Sequence, residues 1–332
     1  MSKQSLFPDN FSHIYVEQKA LSYKMTQDIL ARFKNSTIIY IRHYKDVFNR
    51  PGQDATLQDE SKSLILAVNE GAKIFKGSPV CQDFGEDRFY YVQSAMNCVF
   101  SCDYCFLKGM YATSNVVVFV NTEDYLNECS RMLMDGPMYL CASFDTDLTA
   151  LSSFCSWQEI WSDFAEENPG LTIEFRTKSV TDKIRASQNI IYAFTLSPDE
   201  VIRLYEKKTP SLDARIDFVN RAIDKGASVR LCFDPVVYIK DFELCYNDFI
   251  GKVLENIDLS KVRDMSIGTF RISADYLSNL RKACPCSAAV NFPFDRENGF
   301  CVYPKPLRSR MISILEEKIR SAGYGQKLYI IS

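Results

Sequence analysis

Three cysteines, Cys98, Cys102 and Cys105, stand at C-x3-C-x2-C spacing inside the stretch 97–110, NCVFSCDYCFLKGM. Thiolates so close in sequence can converge on one soft metal centre, and cysteine is the standard protein ligand of iron–sulfur clusters. A 4Fe–4S cluster has four irons, so three cysteines leave one iron without a thiolate. An open metal position is where metal-site chemistry takes place. Structural zinc would want a fourth ligand, commonly in a second C-x2-C or H-x3-H pair. Cys284 and Cys286 make only a distant C-x-C, and the chain has two histidines, His13 and His43. Zinc, or buried and redox-active thiols, remain the alternative readings of the motif.

The elements that must position these residues follow from periodicity. The runs 14–16, 36–42, 62–68, 89–93 and 116–120 are β-branched or continuously apolar and predict strands. So do 138–144, 171–178, 190–196, 228–238 (broken by Pro235) and 262–271. Helices are expected at 25–33 with Thr26 as cap, 123–134 with Thr122, 157–167 with Ser156, and 212–225 between Ser211 and Gly226. Further helices are expected at 181–187, 242–257, 274–284 and 311–320. Strands alternating with helices argue for parallel β/α units, about six of them, hence an open or partial barrel. The domain reading is an N-terminal α/β region at 1–88, a partial barrel at 89–283, and a C-terminal loop or hairpin with a helix at 284–332. Polar residues that a core would not choose collect at strand C-termini: the cysteines, 141–145, 176–178, Thr195, Asp234 and Arg271. In β/α architectures that edge carries the active site.

Composition excludes several classes. Apolar residues are 46% of 332, which permits a sizeable core and argues against disorder. No run approaches the roughly 18 apolar residues of a membrane span, and the first residues lack the charged and apolar regions of a secretory signal. Twelve scattered cysteines then read as reduced thiols of a cytoplasmic protein. A net charge of −3 does not advertise a nucleic-acid binder. The best local signature of one is 300–310, with Tyr303, Lys305, Arg308 and Arg310, where rings can stack on bases and cations meet phosphates. Arg42, His43 and Lys45 read as a solvated edge.

The cysteine motif, with Tyr104 before and Phe106 after its third cysteine, resembles that of the radical S-adenosylmethionine enzymes. Four stretches together resemble the spore photoproduct lyase family: IYVEQKAL, NCVFSCDYCFL, CASFDTDLTAL and TPSLDARIDFVNRAIDKGASVRLCFDPVVY. The resemblance implies an α/β fold, a partial (β/α)6 radical S-adenosylmethionine barrel with an N-terminal α/β extension and a C-terminal tail. It implies a DNA-repair lyase that reverses the UV lesion 5-thyminyl-5,6-dihydrothymine, using a 4Fe–4S cluster and S-adenosylmethionine, fed by a donor such as flavodoxin or ferredoxin. Cys98, Cys102 and Cys105 would hold the cluster. Ser143, Lys178, Thr195 and Asp234 lie where the family contacts S-adenosylmethionine. Cys141 matches the family's hydrogen-atom donor, with Cys81 as an alternative, and Tyr104 its hydrogen relay. Tyr303, Lys305 and Arg308 would meet lesion or DNA. The chain departs from the family at Phe106, which has no O–H to relay hydrogen, at the A-S-F-D after Cys141, and at Asp234, where the family has a small residue. The same engine on another substrate, or a metal-stabilised nucleic-acid-binding protein, are the competing readings.

Overall fold

A computed structural model describes residues 11–77 and 82–331. The chain is α/β, and its described residues fall into two compact units, 11–77 and 82–99 with 111–176, and 100–110 with 177–331.

In the first unit the strands Thr37–Ile41, His13–Glu17, Leu64–Ala67 and Val116–Phe119 pair in that order, all parallel. Ala95–Met96 closes the edge antiparallel. Leu64–Ala67 and Val116–Phe119 are buried throughout, which explains their unbroken apolar runs. Glu17 looks anomalous in IYVEQKAL, yet it is 0% exposed. One carboxylate oxygen accepts the Tyr44 N–H at 2.7 Å and the other the Val68 N–H at 3.0 Å, so it staples two loops beyond the sheet. Phe89–Val92, Met138–Cys141 and Leu171–Thr177 pair in parallel, with Ile74–Lys76 antiparallel on the outside. The helix Trp157–Glu167 buries Trp157 and Trp161, whose indole N–H groups reach the Phe119 carbonyl and the Ser94 hydroxyl at 2.8 and 2.9 Å.

In the second unit Ile190–Thr195, Ser228–Val236, Asp264–Thr269 and Leu328–Ile331 pair in parallel. Arg230 and Asp264 are register partners on adjacent strands and form a buried bidentate pair. Helix Leu212–Asp224 starts where the sequence placed its cap, with Ser211 Oγ accepting the Ala214 N–H at 3.3 Å, and ends before Gly226 at φ 77°.

Several local expectations are corrected. Thr26 lies inside helix Lys24–Arg32, buried, with Tyr23 at the cap position. Asn121, not Thr122, precedes helix Thr122–Leu133, and neither helix has a side-chain cap. Residues 181–187 form no helix. Their polar side chains include Asp182, which accepts from Arg221 at 3.1 Å. The tail is more than a hairpin and a helix. Asp295–Glu297 and Phe300–Val302 make the hairpin, the helix runs Lys305–Ser321, and Leu328–Ile331 returns as a sheet strand.

Gly109 is the tightest backbone approach near the cysteine stretch. A Cβ there would run into the Tyr276 carbonyl, and the Gly109 carbonyl accepts from Asn279 at 3.0 Å. Gly109→Ala should therefore cost roughly 1–3 kcal/mol by overpacking. Gly251→Ala, inside helix Phe242–Asn256 with its nearest neighbour 4.0 Å away, should be neutral or gain up to about 1 kcal/mol. Urea denaturation of the two variants checks the contrast, and equal effects would contradict it.

Candidate active site

The cysteine stretch is held by side chains and by pairing with other segments. Asn97 adopts φ 70° and its side chain spans to the Thr113 and Asn115 carbonyls at 2.7 and 3.2 Å. Lys62 donates to the Cys98 carbonyl at 2.9 Å while pairing with Asp59 at 2.9 Å. In the second unit, Ser101–Cys102 pairs antiparallel with Glu206–Lys207, and the Asp103 N–H donates to the Tyr205 carbonyl at 2.7 Å. A turn bond joins the Cys105 N–H to the Cys102 carbonyl at 3.2 Å.

Cys102 is buried, and Cys98 and Cys105 are half-buried. Burial pushes the Cys102 thiol up to about 12, against the pull of the Lys178 charge. Coordination requires the thiolate, so a metal bound here must displace that proton. Three thiols at this spacing suit a soft iron–sulfur centre. Among the described residues no three His, Cys, Asp or Glu side chains gather closely enough to hold a metal ion. The fit therefore rests on ligand type and spacing.

The strongest electrostatic feature was not foreseen. Glu206 is 1% exposed. One carboxylate oxygen accepts from the Tyr104 hydroxyl and, at 2.8 Å, from Ser197, with Lys178 Nζ 3.7 Å away. The other meets Arg215 at 2.5 Å. Arg215 also donates to the Pro210 and Thr195 carbonyls at 3.1 and 3.2 Å. Burial alone would raise the Glu206 carboxyl; the charges of Arg215 and Lys178 outweigh it and hold the group at about 2. Burial and the Glu206 charge drive the Tyr104 phenol well above its ordinary value. Burial opposes the charge on Lys178, but Glu206 prevails and raises its pKa. The Lys178 ammonium also lies over the Tyr104 ring, 5.0 Å from its centre.

The other expected site residues sit at strand ends. Cys141 is the last residue of Met138–Cys141 and Thr195 of Ile190–Thr195. Ser143, two residues after Cys141, accepts the Leu148 N–H at 3.4 Å. Burial pushes the Asp145 carboxyl up to about 6, against the hydrogen bond from Gln93 at 2.5 Å. Asp234 lies near the end of Ser228–Val236, and Gly268 gives it room: a Cβ on Gly268 would stand 2.8 Å from the Asp234 carboxylate. Phe106 heads the short helix Phe106–Met110. Cys81 lies outside the described residues.

The tail signature is corrected. Tyr303 is 0% exposed, its hydroxyl accepting the Tyr238 N–H at 3.0 Å, so its ring is core and not a stacking surface. Arg308 pairs with Glu297 at 3.0 Å and Arg310 with Glu243 at 2.8 Å. Lys305 is exposed at the head of the long helix. The non-catalytic binding reading drew on this segment and loses its support.

The family model for spore photoproduct lyase matches residues 8–277. The chain belongs to the spore photoproduct lyase family. It is 23% identical over 254 residues to the spore photoproduct lyase of Bacillus subtilis (strain 168), covering 72% of each chain. It is 21% identical over 300 residues to that of Clostridium acetobutylicum, covering 86% of this chain and 85% of that one. Among solved structures it is similar to a doubly substituted spore photoproduct lyase with bound AdoMet and dinucleoside spore photoproduct. There the TM-score is 0.83 at 16% identity, over 99% of both chains. A spore photoproduct lyase complexed with dinucleoside spore photoproduct matches at TM-score 0.82 and 17% identity, again over 99% of both. At such identities these likenesses carry the α/β fold. Cys98, Cys102, Cys105 and Cys141 all fall within the span of the family model.

Glu206→Gln would leave Arg215 and Lys178 without their counter-ion, at a cost of roughly 3–5 kcal/mol. Glu206 is depressed by folding, so its stabilisation is present above the ordinary carboxylate pKa and fades as pH falls toward about 2. Urea denaturation at pH 7 should show the full loss. The gap to the parent chain should narrow only in strong acid. A loss below about 1 kcal/mol at pH 7 would mean the pair is dispensable.

Proposed function

We propose that this protein is a radical S-adenosylmethionine lyase that restores two thymines from 5-thyminyl-5,6-dihydrothymine in DNA. The observation that carries the reading is that one family model spans both the three-cysteine stretch and Cys141. The parallel strands of each unit, with site residues at their C-terminal ends, support a partial (β/α)6 barrel. When bound, a 4Fe–4S cluster and S-adenosylmethionine would supply the radical chemistry that activates the lesion for cleavage of its inter-thymine bond.

The chain's own residues do the rest. Cys98, Cys102 and Cys105 give thiolates to the cluster. Lys178 offers its ammonium to the methionyl carboxylate, and Glu206 holds that ammonium charged. Ser143 and Thr195 offer hydroxyls to the ribose or methionine, and Asp234 offers mainly backbone. Cys141 quenches the thymine radical left when the inter-thymine bond breaks. Its S–H bond breaks, a C–H bond forms on the thymine, and the unpaired electron stays on sulfur. A thiol suits the step because its hydrogen is readily given as an atom and its sulfur is soft. Tyr104 serves as a hydrogen relay, its hydroxyl already engaged by Glu206. Phe106 has no hydroxyl, so it takes no part in that relay. The reductant is a small electron carrier of the flavodoxin or ferredoxin kind. No helix among the described residues is long and apolar enough to cross a membrane, which accords with a cytoplasmic enzyme.

Cys141→Ala separates the steps. In anaerobic assays with dinucleoside lesion, the variant should still form 5′-deoxyadenosine while the thymine yield falls at least tenfold and adducts take its place. Clean thymine formation at the parent yield would remove Cys141 from the donor role.

A further inference from the structure

Cys141 does not stand alone on its strand. Four neighbouring strands of the first unit place Phe75, Tyr91, Cys141 and Glu174 in register, each the direct partner of the next. Direct partners point to the same face of a sheet, so these side chains form one row. Tyr139, two residues before Cys141, shares that face. Glu174 is 1% exposed, a carboxylate embedded in a sheet face. Its oxygens have separate partners. One accepts the Tyr139 hydroxyl at 2.6 Å. The other lies 3.3 Å from Arg176 Nε and accepts the Cys141 thiol at 3.9 Å.

A thiol by itself can rotate about two bonds and present its hydrogen in any direction. A carboxylate hydrogen-bonded by a phenol and ion-paired with a guanidinium is a fixed acceptor. Sulfur donors are weak, so the contact contributes little stability; its effect is on direction. We propose that Glu174 is the positioning residue for Cys141: by accepting the S–H it fixes the rotamer that places the sulfur beside the strand end, and the hydrogen turns about the Cβ–Sγ bond from the carboxylate to a carbon radical when one arrives. Tyr139 and Arg176 hold the carboxylate in place. The assignment rests on the reading of Cys141 as the hydrogen-atom donor and adds to it the group that aims the donor.

The proposal is tested on the cluster-loaded enzyme and, independently, on the thiol itself. In the dinucleoside assay, Glu174→Gln should lower thymine formed per 5′-deoxyadenosine roughly two- to fivefold, at most the size of one net hydrogen bond, while KM for the lesion is unchanged. Tyr139→Phe should move the same ratio in the same direction by less. Glu174→Gln added to Cys141→Ala should change the ratio no further, because a residue that acts through Cys141 has nothing left to aim. A merely structural Glu174 would instead reduce folding and all activities together, with or without the thiol. The second readout is the Raman S–H stretch of Cys141, isolated by subtracting the Cys141→Ala spectrum. It should lie below the frequency of an unbonded thiol in the parent chain and rise in Glu174→Gln. If Glu174→Gln does not fold, Tyr139→Phe and the parent spectrum decide. An unchanged thymine ratio in a folded Glu174→Gln variant, or a parent S–H stretch at the unbonded frequency, overturns the proposal. Parent enzyme that makes 5′-deoxyadenosine but no thymine overturns the repair reading instead, and the Raman band still reports whether the contact exists.

Discussion

A carboxylate removed from water survives only in company, and Glu206 has it on every side. Tyr104 comes from the cysteine stretch, Lys178 from just beyond strand Leu171–Thr177, Ser197 from just beyond Ile190–Thr195, and Arg215 from helix Leu212–Asp224. One buried negative charge therefore fixes four segments of the second unit. Its backbone also pairs with Cys102. The tolerance for change is narrow, because removing the acceptor leaves a buried and a partly buried cation, whereas an exposed pair such as Arg203 with Glu200 can be lost at little cost. The same carboxylate sets the state of Lys178, which stays charged despite its burial and so remains able to meet an anion.

The first unit solves a parallel problem with Glu174. Both sites bury a carboxylate, Glu206 at the start of its strand and Glu174 in the middle of Leu171–Thr177, and set a phenol and a cation against it. In each, the phenol–carboxylate bond fixes a group that the proposed chemistry uses: Tyr104 in one, Cys141 by way of Glu174 in the other. Asp234 follows different logic. Its space comes from the bare backbone of Gly268 on the neighbouring strand, so acidic residue and glycine fit as a pair.

Much of the fold was legible in the sequence. Runs such as LILAV and VVVFV are strands because a continuous apolar run suits a doubly covered parallel sheet, and Ser211 and Gly226 bracket a helix for local reasons of capping and φ. The cysteine ligands and Cys141 were legible from spacing and resemblance. What sequence could not show depends on distant partners. Glu206, in RLYEKK, looks like surface charge until Arg215 and Tyr104 fold onto it. Glu174, in LTIEFRTK, looks like the solvent side of a half-buried strand. Tyr303 looked like a stacking ring because nothing local announces that Tyr238 takes its hydroxyl. Thr26 and Thr122 fit the cap pattern, but burial and helix phase placed them inside the helix. The last strand, Leu328–Ile331, was a four-residue signal too short to separate from a terminus.

The central claim is that this chain performs radical repair of the spore photoproduct, and one assay addresses it directly. Protein reconstituted anaerobically with iron and sulfide is mixed with dithionite, S-adenosylmethionine and synthetic dinucleoside spore photoproduct, and products are followed by chromatography and mass spectrometry. The account predicts thymine dinucleoside that appears only when S-adenosylmethionine is present. Formation of 5′-deoxyadenosine with the lesion left intact would contradict the substrate, and formation of neither by cluster-loaded protein would contradict the chemistry itself.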